Sequence, residues 1–257
     1  MSTPSPVLEL EGVAAGYPKQ DRPALSDLFL KVLYGEIIGV TGVSGAGKTT
    51  LLRTCAGLLA PLEGRMTFAS GDAQRLAYCP QDDVLLDYRN VWENAGLLLE
   101  RNRAMRLPWP PTKARLEAAL ERVGLLSRRR QMPSELSGGM RQRLQVIQAL
   151  CAAEELLLLD EPFAQQDRGN QRRLEDLVFE AARSSRTAVL IVSHDIDALS
   201  AICGRVLFLG GAPGRVVAEI ETPPELAVVG GETRRSQPGF AALSGQLWAE
   251  RARAALA

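Results

Sequence analysis

Gly42-Val43-Ser44-Gly45-Ala46-Gly47-Lys48-Thr49 decides the reading of this chain. Its glycines lack a Cβ, so backbone N–H groups can converge on phosphate oxygens. Such a cradle has to lie between a strand and a helix N-terminus, whose dipole favours an anion. Both neighbours are present. Glu36 to Thr41 is a short β-rich run entering the loop, and Leu51, Leu52, Cys55, Leu58 and Leu59 recur behind it at helical spacing. Pro61 is the expected stop of that helix. Lys48 can reach the β- and γ-phosphates of a nucleoside triphosphate, and the Thr49 hydroxyl can ligate Mg²⁺. Nucleotide contacts are expected from Gly42, Val43, Ser44, Gly45, Ala46, Gly47, Lys48, Thr49 and Thr50.

Leu156-Leu157-Leu158-Leu159-Asp160-Glu161 is the matching half. A buried strand would deliver Asp160 to its C-terminal edge beside the loop, where it can hold Mg²⁺ directly or through water. Glu161 would then lie next to the γ-phosphate and polarise the attacking water, a contribution of about 10²–10⁴-fold. Ser137-Gly138-Gly139 opens another helix and offers a second anion site of hydroxyl and free N–H groups. One nucleotide does not need two such sites from one chain. Its sensible use is to clamp the γ-phosphate of a nucleotide held by a partner, in a head-to-tail dimer with two shared sites.

Working outward, Leu8 and Leu10, then Leu28, Leu30 and Val32, alternate as half-buried strands do. The stretch from about Asn90 to Ser134 reads helical. Thr112 can cap a helix with Leu116, Leu120 and Val123 on one face. Arg128-Arg129-Arg130 is read as a solvated helix end. Met140, Leu144, Ile147 and Cys151 stripe the next helix. The apolar runs Leu156-Leu159, Ala188-Val192 and Val206-Leu209 suit central strands of a parallel sheet covered on both faces. The pattern is α/β with a helical insertion near 90–150. After Ile220, Pro223-Pro224, Pro238 and several glycines read as linker. Phe240, Leu243, Leu247 and Arg251 then suggest a short amphipathic terminal helix. The expected division is a main domain over 1–222, followed by linker and helix over 223–257.

With 257 residues, 46% of them hydrophobic, the chain can bury a large core. Its formal net charge of zero gives no electrostatic case for nucleic acid. Cys55, Cys79, Cys151 and Cys203 are too widely spaced for a zinc pattern or a dense disulfide framework, so buried reduced thiols are expected. No signal peptide is expected, because Met1-Ser2-Thr3-Pro4 lacks a charged region followed by an apolar stretch, and no apolar run approaches a spanning length. Work at a membrane would require other chains to hold the protein there.

Taken together, these motifs resemble those of ABC transporter ATP-binding subunits. Leu136-Ser137-Gly138-Gly139-Met140-Arg141-Gln142 matches the family signature and falls between the two nucleotide motifs, as it does there. The resemblance spans about residues 7 to 222. It implies a P-loop NTPase fold with a mainly parallel central sheet, an N-terminal antiparallel β subdomain and a helical signature subdomain. It also implies ATP and Mg²⁺ as cofactors. Tyr17 matches the aromatic residue that stacks on adenine, and Gln81 the glutamine that senses Mg²⁺ and faces the membrane subunit. Asp167 matches the aspartate at the dimer interface, and His194 the histidine that contacts the γ-phosphate. Glu161, His194, Lys48 and Gln81 are thus the expected catalytic set, and Thr49, Gln81 and Asp160 the metal set.

Three features depart from the family pattern. Gln165-Gln166 precedes Asp167 where the family usually has a leucine before the aspartate; Gln148 replaces a common arginine; and Cys79-Pro80-Gln81 is an entry seen in some exporter-type relatives. Ser193-His194-Asp195-Ile196-Asp197-Ala198-Leu199, Asp160-Glu161-Pro162-Phe163 and Pro213-Gly214-Arg215-Val216-Val217-Ala218-Glu219-Ile220 resemble the nitrate/sulfonate/taurine importer branch. That resemblance implies a second ATP-binding subunit, transmembrane permease subunits docked near Gln81 and the segment from Asp82 to Trp92, a solute-binding protein, and a peripheral place on the cytoplasmic face of the cell membrane. An export motor and a soluble non-transport ATPase are the rival readings.

Overall fold

The computed structural model describes residues 6–18, 22–71, 75–104, 113–153 and 155–255, with the side chains of 98–104 left aside. In chain order the elements are β1 (Pro6–Ala15), β2 (Leu25–Leu33), β3 (Ile37–Gly42), α1 (Lys48–Cys55), β4 (Glu63–Phe68) and β5 (Leu76–Cys79). Next come α2 (Val91–Ala104), α3 (Lys113–Arg122), α4 (Gly138–Ala152), β6 (Leu156–Asp160), α5 (Arg168–Ser185), β7 (Ala188–Val192) and α6 (Ile196–Ile202). Then follow β8 (Arg205–Gly210), β9 (Arg215–Glu221), α7 (Pro224–Ala227), α8 (Gly231–Arg235) and α9 (Phe240–Ala254).

The three apolar runs become β6, β7 and β8 of a six-stranded sheet ordered β5-β6-β7-β3-β8-β9. Every pairing in it is parallel except β8 with β9. Every residue of β6 and β7 is buried, and successive side chains leave on opposite faces. Leu157, Leu159, Val189 and Ile191 pack in the core shared with Leu144, Ile147, Leu174 and Leu199 of the helices on one side. Leu156, Leu158, Leu190 and Val192 pack in a second core with Leu51 and Leu52 of α1 and with Leu8, Leu10 and Leu28. A continuous apolar run is required because each face has a partner, and each fully buried leucine adds roughly 1.5–3 kcal/mol. The second sheet, β2-β1-β4, is antiparallel.

Several local expectations are corrected. Helix α1 ends at Cys55, well before Pro61. Gly57 takes φ 72, and its N–H and that of Leu58 fold back onto Thr54 and Arg53 carbonyls, so the left-handed glycine terminates the helix. Leu58 consequently lies outside the helix and 63% exposed. The expected cap Thr112 lies outside the described residues; Leu116, Leu120 and Val123 beyond it are buried. Residues 223–239, read as linker, carry α7 and α8 packed in the fold. Arg234 is 0% exposed and donates to the carbonyls of Val229, Ser200 and Cys203 at 2.6–3.2 Å. Those bonds offset the cost of burying a guanidinium, which nevertheless pulls its pKa down to about 10. All four cysteines are free thiols, and burial pushes each up to about 12, which keeps them unreactive.

Candidate nucleotide site

Strands β6, β7 and β3 are adjacent and parallel, so their C-terminal ends meet at one edge. There β3 runs into the glycine loop, β6 ends in Asp160-Glu161 and β7 leads to Ser193-His194. A cavity of about 910 Å³ opens over this edge. Tyr17, loop residues 42–45 and 47–50, Gln81, Asp160, Glu161 and His194 line it. Ala46 is buried beneath the loop. Gly47 turns the chain into α1 at φ 85, where a Cβ would run into the Leu25 side chain and come within 3.0 Å of the Ala24 carbonyl oxygen.

Lys48 Nζ donates to the carbonyls of Gly42 and Val43 at 3.0 and 2.9 Å, which points the ammonium back over its own loop. Burial lowers the Lys48 pKa, while Glu161 and Asp160 act to raise it. Asp160 is buried and its pKa is raised by that burial, with a Thr49 hydrogen bond opposing the rise. Its Oδ2 accepts no hydrogen bond among the described residues. A buried carboxylate oxygen without a donor, next to a threonine hydroxyl, suits a hard cation that prefers oxygen ligands.

Glu161 is 8% exposed and sits at φ 50, an uncommon conformation for a side chain of its size. Its amide is held by the Val192 carbonyl at 2.9 Å, and its own carbonyl accepts from Gln142 Nε2 at 2.7 Å. Glu161 Oε2 lies 2.8 Å from His194 Nδ1 and accepts from Ser193 Oγ and the His194 amide, each at 3.3 Å. The carboxylate is therefore held at the cavity wall by Ser193 and His194 of the loop after β7, the arrangement a positioned general base needs. Tyr17 bounds the cavity elsewhere. Its hydroxyl accepts from Arg53 at 3.0 Å, and that guanidinium lies 5.8 Å from the ring centroid.

Ser137, Gly138, Gly139 and Asp167 are not brought to this cavity. Ser137 Oγ caps α4 by accepting from the Met140 amide at 3.3 Å, and it is exposed. Asp167 caps α5 through the Asn170 amide at 3.0 Å, and hydrogen bonds from Asn170 hold its carboxyl below the usual range. Between these two caps, the unusual glutamines have a local use. Gln166 Nε2 donates to the Gly139 carbonyl and to Gln142 Oε1, both at 3.0 Å. Gly139 lets the chains approach, since a Cβ there would meet the Gln165 carbonyl at 2.8 Å.

Sequence reasoning missed Trp248, Arg251, Ala252 and Ala255, which also line the cavity. Arg251 and Leu247 were legible as one turn of an amphipathic helix, but no motif told where that helix docks. Ser193 was quoted in a motif without a role.

The sequence profile described as ABC transporter matches residues 25–164. The chain belongs to the ABC transporter family. It is 38% identical over 205 residues to the aliphatic sulfonates import ATP-binding protein SsuB 2 of Burkholderia cenocepacia (strain HI2424), covering 78% of this chain and 73% of that one. It is 33% identical over 225 residues to the taurine import ATP-binding protein TauB of Yersinia pestis bv. Antiqua (strain Antiqua), with 83% and 84% covered. Its fold is that of a dimeric ATP-binding cassette solved in a post-hydrolysis state with ADP and Pi, at TM-score 0.71, 23% identity and coverage of 83% and 98%. The chain is accordingly an ABC-type ATPase, with the α/β fold, antiparallel β sheet and helical signature region expected of one. No described helix is long and apolar enough to cross a membrane.

Proposed function

We propose that this ABC ATPase is the motor subunit of a bacterial importer of small anionic solutes of the nitrate, sulfonate and taurine type, working as a homodimer with transmembrane permease subunits and a solute-binding protein, on the cytoplasmic face of the cell membrane. The observation that carries the motor reading is the separation of the two anion-type turns. Lys48, Thr49, Asp160, Glu161 and His194 surround one cavity, while Ser137 is exposed and neither it nor Gly139 lines that cavity. A head-to-tail partner would bring each outward turn to the other chain's cavity. The import reading is supported by the names of the relatives and by the motifs around Asp195 and Pro213.

In this reading, the loop amides, Lys48 and Thr50 hold the ATP phosphates, and Tyr17 stacks on adenine. Thr49 and Asp160, with Gln81 nearby, would hold Mg²⁺, and the donorless Asp160 Oδ2 fits that use. When bound, Mg²⁺ offsets the charge that develops on the β- and γ-phosphate oxygens. Glu161 orients water for attack on the γ-phosphorus, and His194 steadies the transferring group. Ser137, Gly138 and Gly139 of one chain clamp the γ-phosphate held by the other, with Asp167 at the shared boundary. Val84 and Tyr88, 49% and 75% exposed in the segment after Gln81, give the permease an apolar surface. Asn94 stiffens that segment by bonding the backbone of Leu86 and Arg89.

The experiment is a pull-down of tagged protein from detergent-solubilised membranes. A permease together with a solute-binding protein supports the importer and leads to its cargo. A permease alone favours export, the reading that Cys79-Pro80-Gln81 suggested. Ribosomal or DNA-repair proteins without a permease overturn transport altogether.

A further inference from the structure

The far end of α9 forms part of the nucleotide cavity, although nothing in the family motifs extends to it. Leu243, Leu247 and Ala254 bury one side of the helix. Ser244 Oγ and Trp248 Nε1 both reach Asp197 Oδ1, at 2.9 and 3.4 Å, which ties α9 to the first turn of α6. The helix is therefore docked by apolar and polar contacts that do not involve Arg251. Arg251 has a different task. Its Nη1 donates to the His194 carbonyl at 2.6 Å, and its guanidinium lies 5.4 Å from the centroid of the Trp248 ring. Among the described residues that carbonyl is its only hydrogen-bond acceptor. A guanidinium carries five N–H donors in a planar fork suited to phosphate.

The electrostatics of the cavity point the same way. Lys48 and Arg251 line the same space. Asp160 and Glu161 line it too, so an entering phosphate meets two carboxylates there and is held only where cations offset them. Its bond to the His194 carbonyl puts Arg251 beside His194 and Glu161, where the proposed reaction puts the terminal phosphate.

We propose that Arg251 is a nucleotide-binding residue of this chain, contacting the γ-phosphate of ATP from the C-terminal helix, with the Trp248 ring and the His194 carbonyl holding its guanidinium in place. This inference rests on the proposed ATP site. It makes α9 a working part of that site and lets the site distinguish ATP from ADP.

The test is to measure MgATP and MgADP affinity by calorimetry for the wild type, Arg251→Ala and Arg251→Lys, with melting curves to confirm that each is folded. Loss of one charge-assisted contact predicts roughly a 10-fold weaker grip on ATP for R251A. ADP affinity should change by less than about 2-fold, since the lost bond is to the γ-phosphate, and R251K should lie between, because it keeps the charge and loses the fork. An equal effect on both nucleotides, no effect on either, or an R251A protein that hydrolyses ATP faster than the wild type would overturn the inference. If Trp248→Phe preserves the preference for ATP, the fork stands without the indole N–H. If it abolishes the preference while R251A does not, the assignment to Arg251 fails. Lys48→Ala separates the two levels. Wild-type protein that binds neither nucleotide, or binds ATP as well after K48A, refutes the site itself. Normal wild-type binding with an indifferent R251A refutes only the role of Arg251.

Discussion

The two glycine turns of this molecule are chemically alike and structurally opposite. Both present N–H groups at the start of a helix, α1 in one case and α4 in the other. The first follows a central strand and carries its own lysine, and neighbouring strands lead to two carboxylates and a histidine around it. The second follows a short 3₁₀ turn, 133–135, and faces solvent. Gln165 and Gln166 pack against it, and their contacts fix its backbone. The difference teaches that an anion-binding turn becomes a reaction centre only where other strand ends supply charge and a proton acceptor. In the proposed pair, the second turn grips a phosphate that it has no means to cleave.

The contrast can be broken most severely at Glu161. Glu161→Gln should lower ATP turnover by about 10²–10⁴-fold while MgATP still binds and still drives dimer formation, as read by size-exclusion chromatography with light scattering. Full turnover in that variant would remove the general base from the first turn's side of the comparison. Lys48→Ala comes next. It should cut turnover by roughly 10²–10³-fold and, unlike E161Q, abolish ATP-driven dimers, because binding itself is lost. Ser137→Arg should reduce turnover on a similar scale yet leave the ATP affinity of the isolated subunit as it was. An altered subunit affinity would mean that the second turn serves its own chain's cavity.

Gln166→Leu sharpens the contrast more gently. It removes two hydrogen bonds to α4, at about 0.5–1.5 kcal/mol each, and thermal melting should register the loss. The smallest effect is that of Asp167→Asn read against pH. The folded state holds the Asp167 carboxyl below its ordinary range, so its stabilising charge is fully present above that range and is lost as the pH falls through the depressed value. The melting difference between wild type and D167N should therefore shrink on acidification; a difference that grew would assign the cap a different origin.

How much of this was legible depended on whether the information was local. The glycine loop, the Asp160-Glu161 pair and the buried runs of β6, β7 and β8 announce themselves, because each is a short pattern with one physical reading. Strand β4 did not. Most of its residues are exposed, and at the edge of the small sheet only Met66 and Phe68 reach the core, too short a pattern to stand out. Gly57 ended α1 early because a left-handed cap outweighed the apolar spacing that continued to Leu58 and Leu59. Arg234 looked like an ordinary charge in a proline- and glycine-rich stretch. Only the fold brings the Ser200, Cys203 and Val229 carbonyls around it. Arg251 was hidden for the same reason. Its hydrogen-bond acceptor, the His194 carbonyl, lies in a loop 57 positions earlier in the chain, and no spacing rule connects the two.

Gln142 links the backbone of Glu161 to the helix that begins at Ser137-Gly138-Gly139. In the proposed head-to-tail pair, these two features of one subunit serve opposite nucleotides. The bond at 2.7 Å therefore makes the subunit a lever whose ends rest on different fuel chambers. A mixed pair carrying one E161Q chain would then run unevenly but not independently: the idle chamber keeps its ATP, and the chain that holds that ATP also holds the clamp for the working one.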